Sequence, residues 1–181
     1  MTRLVLVRHC ESTGQAPEAP LSEAGTAQAR ALAERLARLP IDCAVSSPYR
    51  RACATLEPFA LRAGLRLETD ERWAERRLSP EPIDGWREVV ERSFEEPDFR
   101  VPGGESGSEV KERARNALDA VFARGAGLPV VASHGQLIAL LLHSIDGRFG
   151  FAGWSSLRNP DVFLLERSAA GVLSFRRLAD G

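Results

Sequence analysis

Three apolar runs in this sequence each end on side chains that can hold or attack an anion. The runs are short and continuous, as is typical of strands buried on both faces of a parallel sheet. In such sheets the carboxyl ends of the strands lie at one edge, where ligands bind. The groups at those ends are Arg8-His9, Ser46-Ser47 followed by Arg50-Arg51, and Ser133-His134-Gly135.

Two histidines and two or three arginines at one edge would form a concentrated anion site in a chain whose net charge is −1. The planar guanidinium group of arginine matches the oxygens of phosphate in paired hydrogen bonds. A neutral imidazole is a competent nucleophile for in-line attack on phosphorus, and flanking cations would hold the remaining oxygens. We expect its other ring nitrogen to donate to a backbone carbonyl, which sets the tautomer. These residues therefore indicate phosphoryl transfer through a phosphohistidine.

Such a reaction also needs a carboxyl group on the same edge. The leaving oxygen must gain a proton, and the water that attacks later must lose one. The segment LETDERWAERRL supplies the candidates, and their spacing alone does not choose among them. They are Glu68, Asp70, Glu71 and Glu75.

The elements that position these residues alternate between strand and helix. This alternation predicts one domain over 1–181, a three-layer α/β/α sandwich around a mainly parallel sheet. Helices are predicted where apolar residues recur at intervals of three and four residues, and Ser22 and Ser106 are the predicted N-caps. The predicted strands are Arg3–Val7, Cys43–Ser46, Leu65–Leu67, Leu128–Ala132, Phe163–Leu165 and Val172–Phe175. The predicted helices begin at Ser22, Tyr49, about Glu109 and Leu137.

Composition excludes several classes of protein. With 44% hydrophobic residues and a near-neutral charge, the chain is expected to form a well-buried core and not to bind nucleic acid or an anionic membrane by bulk charge. No apolar run approaches the roughly 20 residues of a membrane span, and no signal peptide is evident, so we expect a cytoplasmic protein. Three cysteines without a C-x-x-C pair predict free thiols.

Five motifs, in order along nearly the whole chain, resemble those of the histidine phosphatase superfamily, which includes cofactor-dependent phosphoglycerate mutases and many small phosphomonoesterases. LVRHCES resembles the strand that ends in Arg-His-Gly, and LSEAGTAQARALAERL resembles the Leu-Thr-x-x-Gly-x-x-Gln-Ala helix. SSPYRRACAT resembles Ser-Ser-x-x-x-Arg-Ala-x-x-Thr, PGGES resembles Pro-Gly-Gly-Glu-Ser, and VVASHGQLI resembles the second histidine motif. The resemblance implies the phosphoglycerate mutase-like fold.

The resemblance also implies a role for each matching residue. His9 would be the phosphorylated nucleophile, and Arg8, Arg51 and His134 would hold the phosphoryl group. Glu75, three residues before Leu78, matches the family's acid, with Trp73 in place of a leucine. Gln15, Ser12 and Gly135 are expected to contact the substrate. The family implies no metal and no cofactor. Arg50 and His143 are expected to have no role in the site.

Two departures from the family pattern bear on function. Cys10 replaces the usual glycine, and its thiol is expected near two histidines, where oxidation or metal binding could inhibit. Gln15 stands where many relatives carry asparagine. A lid-like segment at about 76–104 is shorter than the insertion of family mutases, which favours hydrolysis of a small phosphomonoester. The alternatives are a phosphoglycerate-type mutase with the same site and a noncatalytic phosphate-binding regulator. The sequence does not indicate the oligomeric state.

Overall fold

A central six-stranded sheet carries the helices in a computed structural model that describes residues 1–179. The strand order is β3-β2-β4-β1-β5-β6. The first four strands in this order are parallel. β5 is antiparallel to its neighbours β1 and β6, so β6 runs in the same direction as β1. The strands are β1 Thr2–Arg8, β2 Cys43–Ser46, β3 Leu67–Thr69, β4 Pro129–Ser133, β5 Asp161–Arg167 and β6 Leu173–Arg177.

Six α-helices and one 3-10 turn, Glu71–Trp73, connect the strands. The helices cover both faces of the sheet, and each face has its own apolar core. Val5, Val7 and Val130 face α1 and α2, whereas Leu4 and Leu6 face α4 and α5. The three-layer α/β/α sandwich around a mainly parallel sheet is confirmed. The helices are α1 Glu23–Leu36, α2 Arg50–Ala63, α3 Trp86–Glu95, α4 Gly107–Ala123, α5 Gly135–Ile145 and α6 Phe151–Ser155.

Local sequence explains where the longer helices begin. The Ser22 hydroxyl accepts a hydrogen bond from the backbone N–H of Gly25 and caps α1, as predicted. The Ser106 hydroxyl caps α4 by accepting a hydrogen bond from the N–H of Glu109, and the Glu109 carboxylate accepts one from the N–H of Ser106. This reciprocal capping box fixes the first turn of α4.

The predicted strands and helices are present, with their ends moved by a few residues. The third strand begins at Leu67, where the prediction had it end, and β5 begins at Asp161, two residues before the prediction. Helix α3 was not predicted, because it lies in the segment 76–104, which is rich in charge and proline and was interpreted as lid-like. Its apolar residues Trp86, Val89, Val90 and Phe94 nevertheless lie at helical spacing. No helix within residues 1–179 is both long and apolar enough to cross a bilayer.

The sheet register brings three strand ends to one level. Arg8 of β1 lies opposite Ser133 of β4 on one side and opposite Asp161 of β5 on the other. The residues that follow these strand ends, His9 and His134, therefore leave the sheet side by side. Their ring centroids are 5.1 Å apart.

Candidate active site

His9 is buried, and the two nitrogens of its imidazole have different partners. Nδ1 lies 2.7 Å from the carbonyl oxygen of Cys10, so Nδ1 carries the proton and donates it. Nε2 then keeps its lone pair, which accepts a hydrogen bond from Nε of Arg51 at 3.2 Å. The backbone hydrogen bond expected from the sequence is thus present. It leaves Nε2 as the nitrogen that can attack.

The protonation state of His9 suits a nucleophile. Burial is the main cause that lowers its pKa, to about 4. The hydrogen bond to the Cys10 carbonyl opposes this shift, and the positive charges of Arg51 and Arg8 add to it. At neutral pH the imidazole is therefore uncharged, and Nε2 keeps the lone pair that a nucleophile needs.

Two arginines flank His9: Arg51, which is buried, and Arg8, which is half-buried. Arg51 is 1% exposed, and its NH1 donates to the carbonyl oxygens of Gln15 and Ala16 at 3.0 and 2.9 Å. NH1 of Arg8 donates to the carbonyl of Leu157 at 3.0 Å, while its Nε is buried with no partner. Within residues 1–179 neither guanidinium is hydrogen-bonded to a carboxylate. Because a buried cation without a counter-ion is costly, these groups favour a bound anion.

His134 completes the cationic and polar wall. Its Nε2 lies 2.7 Å from the Ser47 hydroxyl, and that oxygen also accepts a hydrogen bond from the backbone N–H of Tyr49. The hydroxyl can donate its proton to His134 Nε2, and in that tautomer the imidazole proton lies on Nδ1. Within residues 1–179, Nδ1 is buried and has no hydrogen-bond partner. Burial above all, together with the charge on His9, holds the pKa of His134 well below its usual range. The ring is thus neutral, and in this tautomer its Nδ1–H remains available to donate.

Glu75 lies at the amino end of α5. One carboxylate oxygen accepts from the backbone N–H groups of Leu137 and Arg76 at 3.0 and 2.8 Å. The other accepts from the N–H of Gln136 at 3.1 Å. A carboxylate is favoured at a helix amino end because the first N–H groups lack partners within the helix. Among the four acidic residues that the sequence left open, this geometry anchors Glu75 beside the strand ends.

A salt bridge holds the backbone on both sides of Glu75. Arg113 of α4 forms two hydrogen bonds of 3.0 Å with the Glu105 carboxylate. NH1 of Arg113 also donates to the carbonyls of Arg72 and Ala74, and Glu105 accepts from the N–H of Arg77. We call Glu105 and Arg113 the Glu105–Arg113 clamp. Nothing in the sequence indicates this role for Arg113, which resembles any other charged residue of a helix.

The other predicted substrate contacts lie in different surroundings. A Cβ at Gly135 would come within 3.2 Å of Arg8 Nε, so glycine there lets the guanidinium lie against the start of α5. The Ser12 hydroxyl donates to the carbonyl of Gly14, within its own loop. Gln15 is exposed and contributes its backbone carbonyl to Arg51. The substrate contacts predicted for all three stay predictions.

Cys10 lies differently from the expectation. The residue is fully buried in the core against α1 and α2, and its N–H donates to the Thr55 hydroxyl at 2.9 Å. Burial raises the pKa of the thiol to about 11. Its burial in the core and its raised pKa disfavour the oxidation or metal binding expected at Cys10, and that expectation stays a prediction. Among residues 1–179, no group of three or more His, Cys, Asp or Glu side chains is placed to hold a metal ion.

Sequence reasoning also missed Asn159. Its side-chain N–H donates to the carbonyl oxygen of His9 at 2.7 Å and so supports the backbone beside the nucleophile. Asn159 precedes β5, whose first residue pairs with Arg8. The predicted start of this strand at Phe163 left Asn159 in an unassigned loop. Arg50 is exposed, and the ring of His143 packs against Phe94 with centroids 5.4 Å apart.

Comparison with solved structures supports the fold. A mycobacterial glucosyl-3-phosphoglycerate phosphatase, solved with inorganic phosphate, has a TM-score of 0.78 and 26% identity, covering 99% of this chain and 96% of that one. YhfR of Bacillus stearothermophilus has a TM-score of 0.79 at 23% identity, covering 96% of this chain and 95% of that one. The second likeness concerns the fold alone.

Comparison of sequences identifies the family. A Yersinia pestis protein named probable phosphoglycerate mutase GpmB is 32% identical over 165 residues, which cover 81% of this chain and 76% of that protein. A family profile described as histidine phosphatase superfamily (branch 1) matches residues 4–171. The match spans both histidine motifs and nearly the whole sheet. The chain therefore belongs to branch 1 of the histidine phosphatase superfamily.

Proposed function

We propose that this protein is a phosphomonoesterase that hydrolyses a small phosphorylated metabolite through a phosphohistidine on His9. The observation that carries the proposal is the state of His9. Its Nδ1 proton is held by the Cys10 carbonyl, and its Nε2 lone pair lies 3.2 Å from a buried arginine that has no bonded carboxylate. A phosphate dianion would supply the missing negative charge and bring phosphorus to Nε2.

In the first step, Nε2 of His9 attacks phosphorus as the bond to the leaving oxygen breaks. Arg8, Arg51 and Nδ1–H of His134 hold the three other oxygens, where negative charge is greatest in the transition state. Glu75 acts as the general acid in this step: its carboxylic acid form gives a proton to the leaving oxygen, which departs as an alcohol. The product of the step is the phosphorylated imidazole.

In the second step, water replaces the alcohol. Glu75, now a carboxylate, takes a proton from the water as its oxygen bonds to phosphorus. The bond between phosphorus and Nε2 breaks, inorganic phosphate forms, and His9 recovers its lone pair. Gly135 contributes by admitting the Arg8 guanidinium, and Ser12 and Gln15 remain candidates for contacts with the substrate from their loop.

A phosphoglycerate-type mutase is the second candidate. The Yersinia pestis relative named as a probable phosphoglycerate mutase favours it, and the phosphoryl-binding residues would be the same. A mutase must return the phosphoryl group to a second oxygen of the substrate and keep water away from phosphohistidine. The modest length of segment 76–104 and the likeness to a glucosyl-3-phosphoglycerate phosphatase support hydrolysis instead.

The test is release of inorganic phosphate from a panel of phosphomonoesters, including 3-phosphoglycerate and sugar phosphates, by wild type and His9→Ala. Each assay is run with and without 2,3-bisphosphoglycerate as a primer. A phosphomonoesterase releases phosphate without primer, and His9→Ala lowers the rate by orders of magnitude. Isomerisation that depends on primer would favour the mutase. Phosphate binding without either reaction would favour a noncatalytic regulator.

A further inference from the structure

Four side chains outside the phosphoryl-binding residues form an aromatic cluster at the start of α3 and in α6. The rings of Trp86 and Trp154 meet edge to face with centroids 6.0 Å apart, and Phe151 stacks on Trp154 at 5.3 Å. The Arg87 guanidinium lies over Phe151 and Trp154, 5.0 and 5.4 Å from their centroids. We call Trp86, Arg87, Phe151 and Trp154 the aromatic platform.

Contacts at the two ends of α3 place the platform at the active-site end of the sheet. Near the carboxyl end of α3, Phe94 packs on His143, close to the end of α5 farthest from Glu75. At its amino end, Trp86 packs on Trp154. The N–H of Leu157 donates to the Trp154 carbonyl, and the Leu157 carbonyl accepts from Arg8. The platform is thus connected to the phosphoryl-binding arginine by two hydrogen bonds.

Trp86 is exposed, and its place in the fold distinguishes it from the other exposed apolar side chains. Trp86 is 48% exposed. Of the residues described, only Met1, Leu61 and Val172 are comparably large, apolar and exposed, and all three lie near the amino ends of the parallel strands. An exposed tryptophan beside a polar pocket is a feature of ligand sites, whereas a single exposed apolar residue elsewhere is ordinary.

No step of the proposed reaction uses the aromatic platform. His9, Arg8, Arg51, His134 and Glu75 account for the phosphoryl group and the protons. The remainder of a phosphomonoester is its leaving group, which must extend out of the pocket. Binding energy from a part of the substrate that does not react can still lower the barrier, so a contact there affects kcat/KM.

We propose that the aromatic platform binds the leaving group of the substrate and that this group contains a ring. The inference rests on the proposed function and names its substrate class: ring-bearing phosphomonoesters rather than short acyclic ones. A flat ring face would pack against the indole of Trp86. Within residues 1–179 the hydrogen bond of Arg87 goes to the Ser155 hydroxyl, which leaves guanidinium donors for a polar substituent on the ring.

The experiment measures binding of phosphonates, which carry the anionic group but are not hydrolysed. Phenylphosphonate and methylphosphonate are titrated into wild type, Trp86→Ala and Trp86→Phe by calorimetry. We expect wild type to bind the phenyl compound more tightly than the methyl compound. Trp86→Ala is expected to weaken only phenylphosphonate, by about three- to tenfold, and Trp86→Phe to restore most of the loss. Cyclohexylphosphonate separates a saturated ring, such as that of a sugar, from an aromatic one.

Leu61→Ala is the matched control, because Leu61 is also exposed but lies at the other end of the sheet. It should change neither affinity. If Trp86→Ala weakens the affinity for both phosphonates equally, or for neither, the proposed role of the aromatic platform is wrong, while the proposed function still stands. If wild type binds neither phosphonate nor inorganic phosphate, the phosphoryl pocket itself is refuted, and the inference fails with it.

Discussion

At the scale of residues, the two histidines share the Nδ1–H tautomer but are held in it by different neighbours, so that different ring nitrogens are available to the site. The Cys10 carbonyl accepts a hydrogen bond from Nδ1 of His9, whereas the Ser47 hydroxyl donates to Nε2 of His134. One ring therefore presents a lone pair to the site and the other presents an N–H. The sequence indicates both histidines, but the choice of tautomer depends on contacts made by Ser47, which is distant from His134 along the chain.

Ser47→Ala tests the tautomer of His134. Without the hydroxyl, Nε2 loses its partner and the proton is no longer directed to Nδ1, so we expect kcat/KM to fall about tenfold or more. Ser46→Ala is the control, since the Ser46 hydroxyl donates to the Ser47 carbonyl and does not contact His134. Equal activity in the two variants would contradict this role for Ser47.

Cys10 gives a second residue-scale prediction. Because the thiol is fully buried and its pKa is raised to about 11, iodoacetamide should not alkylate it in the folded protein at neutral pH. Peptide mass spectrometry compares Cys10 with the half-buried Cys43, and denatured protein supplies full labelling. Rapid modification of Cys10 in the native state would show that the thiol reaches solvent.

The sequence predicts the type of residue at Cys10 to be small, as the family glycine is, but not the direction of its side chain. A side chain that follows a strand end can point into the pocket or into the core. Here the side chain of Cys10 lies in the core, and its backbone N–H donates to the Thr55 hydroxyl on α2. That contact joins positions 45 residues apart and has no local signal.

At the scale of elements, Glu75 is positioned by helices on either side of its loop. Helix α5 offers its first N–H groups to the carboxylate, and α4 carries Arg113, which binds the carbonyls of Arg72 and Ala74. Apolar periodicity predicts both helices. It does not predict how they hold a loop without regular structure, so Glu75 could be chosen from the sequence only by the family resemblance.

Arg113→Ala tests the Glu105–Arg113 clamp. Without the clamp, the Glu75 carboxylate should move away from its position. Because small misplacements of catalytic groups are costly, we expect kcat to fall about ten- to a hundredfold. KM and the affinity for inorganic phosphate should change little, and Arg113→Lys should restore part of kcat.

Arg115→Ala is the control for the same helix. Arg115 is also half-buried, but it donates to the side chain and carbonyl of Ser144, away from Glu75. If both alanine variants lose kcat equally, the effect of Arg113 is one of helix stability and the positioning role is wrong.

At the scale of the whole molecule, the mainly parallel character of the sheet follows from patterns that are visible in the sequence, whereas the strand order does not. Continuous apolar runs mark β1, β2 and β4, and the helices between them require parallel pairing. Helix α3 was missed although its apolar residues lie at helical spacing, because the charge and proline around it favoured a lid-like segment. Its packing on α5 and α6 has no signal in the sequence. The position of the aromatic platform, which joins α3 to α6, is therefore a property of the folded chain alone.

Burial of neutral histidines also makes stability depend on pH. The folded-state pKa of His9 is about 4, below the usual value of 6.5, so the unfolded chain binds the proton first as pH falls. The free energy of unfolding should therefore decrease as pH falls from about 6.5 to 4, by up to about 1.4 kcal/mol per pH unit from this group.

Urea unfolding at pH 7 and pH 5 measures this dependence in wild type and His9→Gln. The variant lacks the titrating imidazole, so its stability should fall less over the same interval. Other titrating groups are common to both proteins and cancel in the comparison. Identical pH dependence would mean that His9 is not held neutral by the fold.

The central claim is that Nε2 of His9 forms a bond to phosphorus. Wild type, His9→Ala and Glu75→Gln are mixed briefly with a phosphomonoester that wild type hydrolyses, quenched in base, and digested for mass spectrometry. The account predicts one phosphoryl group on the peptide that contains His9 in wild type, none in His9→Ala, and accumulation in Glu75→Gln when the leaving group needs no acid. Turnover with the phosphoryl group on another residue, or on none during a pre-steady-state burst, would contradict it.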